Sequence, residues 1–387
     1  MVIVIDRREQ KMGPQLLLDK SALQALSDDE ISFMSIHYYN VIAPVIIAEI
    51  LGDLKKYPED AERSIKNVCG LADKVPSLGS LINEDCRTLL AWDLLGYYEV
   101  IMDGTPIRSD GIPVRMKSGK KGVYFKESQE KAVLRRWIDG EFTEVEANLA
   151  DVWRKYTKSI DLEGWKRSHT DYPRVKDWET LNSYVSQLSD TPFIQMENIT
   201  FLINEMSLND KVRKEVFDRW ILKGMPLLKH FSPYGHYCLR VLHAFYLATV
   251  NNIDDLGTRS TNRIDLEYIF YLPFCKIFSS GDKFHVKFTK IFLRENQEFI
   301  HKDDLKADLK KIKNYWDSLT EQERKEYRKN NGYYPPNFPE SFTNRVWKKY
   351  MKPRENYKNL TQEEQEDFIK SLEPMIKEIA EIRKRVQ

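Results

Sequence analysis

Short apolar runs that end abruptly at a helix start constrain this chain more than any other feature. Leu16, Leu17 and Leu18 stop at Asp19, and Ser21-Ala-Leu-Gln-Ala-Leu then reads as the beginning of a helix. Val41 and Ile42 run into Pro44, a residue suited to the first turn of a helix. Cys275 to Phe278 reads as another short strand, followed by the turn Ser279-Ser280-Gly281-Asp282. Short runs without polar alternation suit buried central strands. Asp19 and Asp282 then fall just beyond the carboxyl ends of strands, the edge where open α/β sheets bind ligands. Aspartate is equally a common helix-entry residue, so Asp19 taken alone reads as a cap.

A chain of 387 residues is long enough for two or three compact units. Its 60 Lys and Arg against 59 Asp and Glu leave a net charge of +1, so any attraction to phosphate must come from local patches. Cys69, Cys86, Cys238 and Cys275 form no C-x-x-C pair, which points away from a zinc ribbon or disulfide framework and toward a reducing cytoplasm. MVIVI is too short for a signal-peptide apolar region, and the apolar stretch from Val41 to Ala48 is far below a membrane span. A cytoplasmic protein with no membrane partner is expected.

Glu49 lies on the helix that Pro44 opens, among Ile46, Ile47, Ile50 and Leu51. It is either a boundary residue reaching water or an acid kept beside the core for a purpose. From about Tyr57 to Ser232 helical segments dominate, among them SLINEDCRTLLAWDLLGYY and KVRKEVFDRWILKG. The segment DGTPIRSDGIPVRMKSGKKGVYF reads as a β-hairpin carrying Arg108, Arg115, Lys117, Lys120, Lys121 and Lys126. It is either an arm that tracks a phosphate backbone or a solvated tip. GHYCLRVLHAFYLATV is a buried-looking helix, and its His236, Cys238 and His243, with His230 nearby, read as core packing rather than a zinc finger. Asp265 opens a helix that leads into the last strand. Beyond His301 the chain is charged and helical, with capping boxes at Thr320 to Glu323 and Thr361 to Glu364. Tyr333, Tyr334, Trp347, Lys348, Lys349 and Tyr350 mix aromatics with positive charge, as in a single-strand grip or in a tail docked on its own protein.

Taken together, LLLDKSAL, VIAPVIIAEIL and DLEYIFYLPFCKIFSSGD resemble the PIN-domain nucleases. In that family an Asp follows the first strand, a Glu lies on the helix after the second, and an Asp-headed helix runs into a strand ending in T/S-x-D. Asp19, Glu49, Asp265 and Asp282 take those places here, the last two 17 positions apart. The resemblance implies an α/β fold: a PIN-like three-layer core with a central, mostly parallel sheet, discontinuous over residues 1–54 and 236–303. A mainly helical insertion with the basic hairpin occupies 55–235, and a helical C-terminal extension occupies 304–387. Lys20 stands where the family usually has a small hydroxyl residue, with Ser21 after it. The stretch between Glu49 and Asp265 is several-fold longer than a minimal domain needs.

If four carboxylates meet within ~5 Å, each pair repels by roughly 3 kcal/mol at an effective dielectric near 20, so the cluster calls for a cation. Oxygen ligands alone favour Mg²⁺ or Mn²⁺. The resemblance implies a divalent-metal-dependent endoribonuclease, toxin-like or defence-related, with Asp19 and Asp282 as principal ligands and Glu49 and Asp265 completing the set. RNA is the expected partner, with single-stranded DNA as a second substrate and a protein inhibitor as a further partner. Lys20, Ser21, Ser280, Lys117, Lys120 and Lys121 are the candidate substrate contacts. Two rival readings use the same residues: a catalytically inactive PIN-like scaffold that binds RNA or protein, and a structure-specific DNA nuclease.

Overall fold

The apolar runs are strands, and they lie in one sheet. A computed structural model describes residues 13–75, 80–109, 111–115, 121–125, 129–168, 172–256 and 259–351. Its strands are β1 (Gln15–Leu18), β2 (Tyr39–Ile42), β3 (Ser80–Ile82), β4 (Gly111–Arg115), β5 (Lys121–Phe125), β6 (Ile277–Ser280) and β7 (Glu298–His301). Five of them form a wholly parallel sheet in the order β3-β2-β1-β6-β7. The other two form the antiparallel hairpin, with Gly111 opposite Phe125 and Arg115 opposite Lys121. Lys117 and Lys120 lie outside the described residues.

Leu16, Leu17, Val41, Ile277 and Phe278 are fully buried, as strands covered on both faces must be. The chain moves outward from β1 through β2 to β3, then returns and adds β6 and β7 on the opposite side. Right-handed crossovers running in opposite directions put their helices on opposite faces. The architecture is therefore α/β, with the reversal of strand order between β1 and β6.

Two strands depart from the sequence reading. Ser80-Leu81-Ile82, read as part of a helical segment, pairs with β2, so the sheet draws a strand from the span read as insertion. The helical periodicity begins only after Asp85, whose side chain accepts from the Arg87 and Thr88 amides. β6 starts two residues later than expected, because Leu272–Phe274 make a 3₁₀ turn around Pro273 that Cys275 closes.

The first helices are α1 (Lys20–Ala25), α2 (Asp28–His37), α3 (Pro44–Gly52), α4 (Ala61–Asp73), α5 (Cys86–Leu95), α6 (Gln129–Ile138) and α7 (Glu144–Ser159). Five more, α8 (Leu162–Ser168), α9 (Trp178–Asp190), α10 (Gln195–Glu205), α11 (Asp210–Leu222) and α12 (Leu228–Phe231), lead to the long α13 (Pro233–Val250). The chain then forms α14 (Asn262–Ile269), α15 (Lys283–Phe292), α16 (Lys302–Ser318), α17 (Glu321–Asn331) and α18 (Phe342–Tyr350). No described helix is long and apolar enough to cross a membrane.

α13 is buried along most of its length, and its cysteine is a free thiol in the core. His243 there is buried, contacts Asn198 at 3.2 Å and stacks on Phe201, whereas His236 is partly exposed and lies 3.2 Å from Asp190. The expected capping box at Thr320 is present, and the one at Thr361 lies outside the described residues. Trp347 is buried, donates its indole N–H to the His37 carbonyl at 2.6 Å and packs against Tyr334. It docks the end of the described chain onto its own protein and is closed to a nucleic-acid base.

α7 approaches α3 closely because Gly52 has no side chain. A Cβ there would lie 2.3 Å from Trp153 Cδ1. Gly52→Ala is expected to push Trp153 outward and to destabilise the protein by about 1–3 kcal/mol in urea unfolding, with no change at the sheet edge.

Candidate functional site

Asp19 ends β1 and begins α1. Its main-chain N–H reaches across to the Ser279 carbonyl, and its Oδ1 accepts from the Ala22 amide at 2.8 Å. The cap reading is thus true of this residue, which lies at the carboxyl edge of the sheet. Ser21 Oγ donates to the same carboxylate at 2.9 Å and Ser280 Oγ donates to Oδ2 at 2.5 Å. Ser21 also accepts the Gly281 amide at 2.9 Å, tying the turn after β6 to α1. Ser21 and Ser280 do orient a carboxylate, but it is that of Asp19.

Asp282 occupies the equivalent place after β6. It caps α15 by accepting the Phe284 amide at 2.8 Å, while its amide donates to Ser280 Oγ at 2.9 Å. Its other oxygen lies 3.7 Å from the guanidinium of Arg259, which is largely exposed. The stem of Lys302, just past β7, crosses Gly281 at a spot where a Cβ would meet its Cε at 2.1 Å. Its ammonium contacts only the exposed Asp303 carboxylate at 3.1 Å among the described residues.

Glu49 comes from α3 and Asp265 from α14. Glu49 stays with the core: its Oε2 accepts from the Tyr268 hydroxyl. Burial raises its pKa, Lys20 and the Tyr268 hydrogen bond oppose the rise, and the charge of Asp19 adds to it. Burial likewise pushes Asp265 up to about 7, opposed by His285 and reinforced by Asp282, Glu49 and Asp19. Its Oδ2 is buried without a hydrogen-bond partner among the described residues. Each of the other three acids acts on the Asp265 charge, so the four sequence-predicted acids do gather at one edge of the sheet.

The gathering is looser than a cage. Among the described residues no group of three or more His, Cys, Asp or Glu side chains stands ready to hold a metal ion. Each carboxylate but that of Asp265 instead has its own donor. The donor set is nonetheless all oxygen, and the orphaned Asp265 Oδ2 is an acceptor with capacity to spare, so these residues fit a hard divalent ion.

His285 escaped the sequence reading. It lies on α15 and is fully buried, its Nδ1 2.8 Å from Ser280 Oγ and 3.2 Å from Asp19 Oδ2. Its Nε2 lies 2.8 Å from the main-chain oxygen of Asp265, which can only accept, so Nε2 carries the hydrogen. Burial alone would lower its pKa, but the hydrogen bond and charge of Asp19, with Asp265 behind them, raise it to about 9. An imidazolium at neutral pH therefore sits among the acids. The only signal for it in the sequence is a histidine three residues after Asp282, on the helix face shared with Phe288 and Phe292.

This changes the electrostatic argument. A divalent ion is not required to make the cluster tolerable, because His285 supplies positive charge and two of the four carboxyls have raised pKa values. Lys20 is also committed inward. Its ammonium binds Asp53 Oδ2 at 2.8 Å and the Glu49 carbonyl at 2.9 Å, and Arg154 joins Asp53 at 3.0 Å. Lys20 thus ties α1 to the end of α3. The backbone of Lys121 lies in the hairpin, which is not part of the sheet that carries the acids.

No family model, no curated protein and no solved structure matches the chain.

Proposed function

We propose that the carboxyl edge between β1 and β6 is the divalent-cation site of a PIN-like phosphodiesterase that cleaves RNA. The observation that carries this reading is Asp265: a buried carboxyl oxygen with no donor among the described residues, facing three other acids at the point where strand order reverses. Asp19 and Asp282 would hold Mg²⁺ or Mn²⁺, with Glu49 and Asp265 completing the oxygen set. A bound ion there lowers the pKa of a water and offsets phosphate charge.

The chain's own residues do the positioning. Ser21, Ser280 and His285 fix the Asp19 oxygens, and the first turn of α15 fixes Asp282. Arg259 beside Asp282 and Lys302 across Gly281 stand at the rim with charge to offer an incoming phosphate. Ser280 is not a nucleophile in this scheme, since its hydroxyl is fully buried and donates to Asp19. A toxin-like or defence role rests on the resemblance alone.

The test is incubation of the purified protein with labelled RNA, single-stranded DNA and duplex DNA, in Mg²⁺, Mn²⁺ or EDTA. RNA cutting is expected with either ion, none in EDTA, and a loss of about a hundredfold or more in Asp19→Asn and Asp282→Asn. Cutting that persists in either variant would discard the assignment, and cutting confined to DNA would transfer the same chemistry to the DNA-nuclease reading. One observation favours the scaffold reading: His285 already balances Asp19 without a metal. On that reading calorimetry shows no binding of Mn²⁺, while RNA or a protein is still retained.

A further inference from the structure

α15 starts at Asp282 and carries three lysines on its outward face. Phe284, His285, Phe288, Thr289 and Phe292 bury the inner side of the helix. At 3.6 residues per turn, Lys283, Lys287 and Lys290 fall within an arc of about 60° on the opposite side. Lys283 and Lys290 are exposed, Lys287 is partly exposed, and the helix holds no acid. Lys283 occupies the first helical position, where the helix dipole disfavours a cation. The row therefore adds nothing to the core and costs the helix a little at its start.

Its surroundings say what it is for. Arg259 lies 3.7 Å from Asp282 and the stem of Lys302 crosses Gly281, so the row meets two further cations at the edge that gathers the acids. Among the described residues the carboxylate paired with the row is that of Asp254, 3.0 Å from Lys287, each 37% exposed. A pair so open to water is screened and readily exchanged for a phosphate. With a net charge of only +1, the chain has to attract a phosphate backbone through a local feature such as this one. From Lys283 to Lys290 the row spans about 10 Å, the length of about three phosphates of a stacked strand at roughly 3.4 Å each. It is one side chain wide, which suits a single backbone rather than the two of a duplex. We propose that the outer face of α15, through Lys283, Lys287 and Lys290, holds the phosphate backbone of single-stranded RNA on its way from the edge at Asp282. This path rests on the reading of that edge as an RNA-cleaving site and adds to it the direction in which the strand leaves.

Fluorescence anisotropy of a labelled single-stranded RNA of about 15 nucleotides, titrated with the full chain in EDTA at several salt concentrations, tests the path without any cutting. Lys283→Gln with Lys290→Gln is expected to weaken binding about tenfold or more and to lower the slope of log K against log salt by about 1.4, at roughly 0.7 for each lost contact, with an unchanged melting temperature. Lys211→Gln with Lys214→Gln, exposed lysines of α11, removes the same charge elsewhere and is expected to leave the slope unchanged. Asp254→Asn is expected to tighten binding several-fold by freeing Lys287. Asparagine keeps an acceptor for the Trp178 indole and suits the left-handed φ of 54° at that position. The gain is the discriminating result, since damage to the fold would not produce it. An unchanged slope in the α15 variant, equal losses from both lysine pairs, weaker binding in Asp254→Asn, or a wild-type chain that binds phosphatidylserine vesicles but no RNA would each overturn the proposal. RNA held along α15 by a chain that cuts nothing would sink the nuclease reading and leave this surface standing, and cutting with an unaffected slope would do the reverse.

Discussion

Asp265→Asn is expected to stabilise the protein and to abolish RNA cleavage in the same molecule. The native carboxyl titrates near 7 because it is buried and faces Asp282, Glu49 and Asp19, while an unfolded aspartate titrates near 4. A carboxyl whose pKa is raised by folding favours the native state while it is protonated. That stability is lost as pH climbs from about 4 through about 7, by an amount on the order of 2–4 kcal/mol. Asparagine is neutral at every pH, so the variant keeps what the wild-type protein loses. Urea unfolding at about pH 8 should show the variant more stable, and near pH 4 the two should converge. The same substitution removes a charged oxygen from the proposed cation set, and cleavage should fall by about a hundredfold or more. Lower stability of the variant at pH 8 would mean that the Asp265 carboxylate is satisfied by a partner and is not an acid held in reserve.

His285→Ala is the second large effect, with the opposite pH dependence. The histidine is raised by folding from about 6.5 to about 9, so its contribution is fully present below the lower value and disappears as pH rises through the upper one. A shift of that size corresponds to about 3 kcal/mol, to which the vacated volume in the aromatic core adds. The variant should therefore be strongly destabilised at about pH 6, and the gap from wild type should narrow above about pH 9. His285→Ala should also weaken Mn²⁺ binding about tenfold or more, because Asp19 Oδ2 loses one of the groups that orient it. A pH-independent gap would show that the ring acts by filling space alone.

Much of this edge could be read from residue order, because backbone and solvation dictate it locally. Apolar triplets such as Leu16 to Leu18 can only be buried strands or buried helix, and Pro44 and Asp19 mark where helices begin. Asp19 and Asp282 follow directly from that: each lies one or two residues beyond its strand, where an N-cap must sit. What could not be read is what depends on distant partners. The inward turn of Lys20 needs Asp53, which becomes a buried acid only when α7 brings Arg154 against it. His285 looks like any histidine on an amphipathic helix until β1 places Asp19 beside it. β3 was hidden because three residues are too few to show a period, and the helix that follows supplies one of its own. The mixed aromatic and basic C-terminal residues have two readings until His37 and Glu298 are found underneath them.

β6 enters the sheet between β1 and β7, more than 250 residues after β1 is made. Until then β1 has an open edge, and Asp19 lacks Ser280, His285 and the turn that carries Asp282. During translation, then, the amino-terminal half of this edge waits incomplete while most of the polypeptide emerges. Any chain cut short before Asp282 is left with at least two of its four acids unsupported or missing, so the edge forms only once nearly three-quarters of the polypeptide has been made.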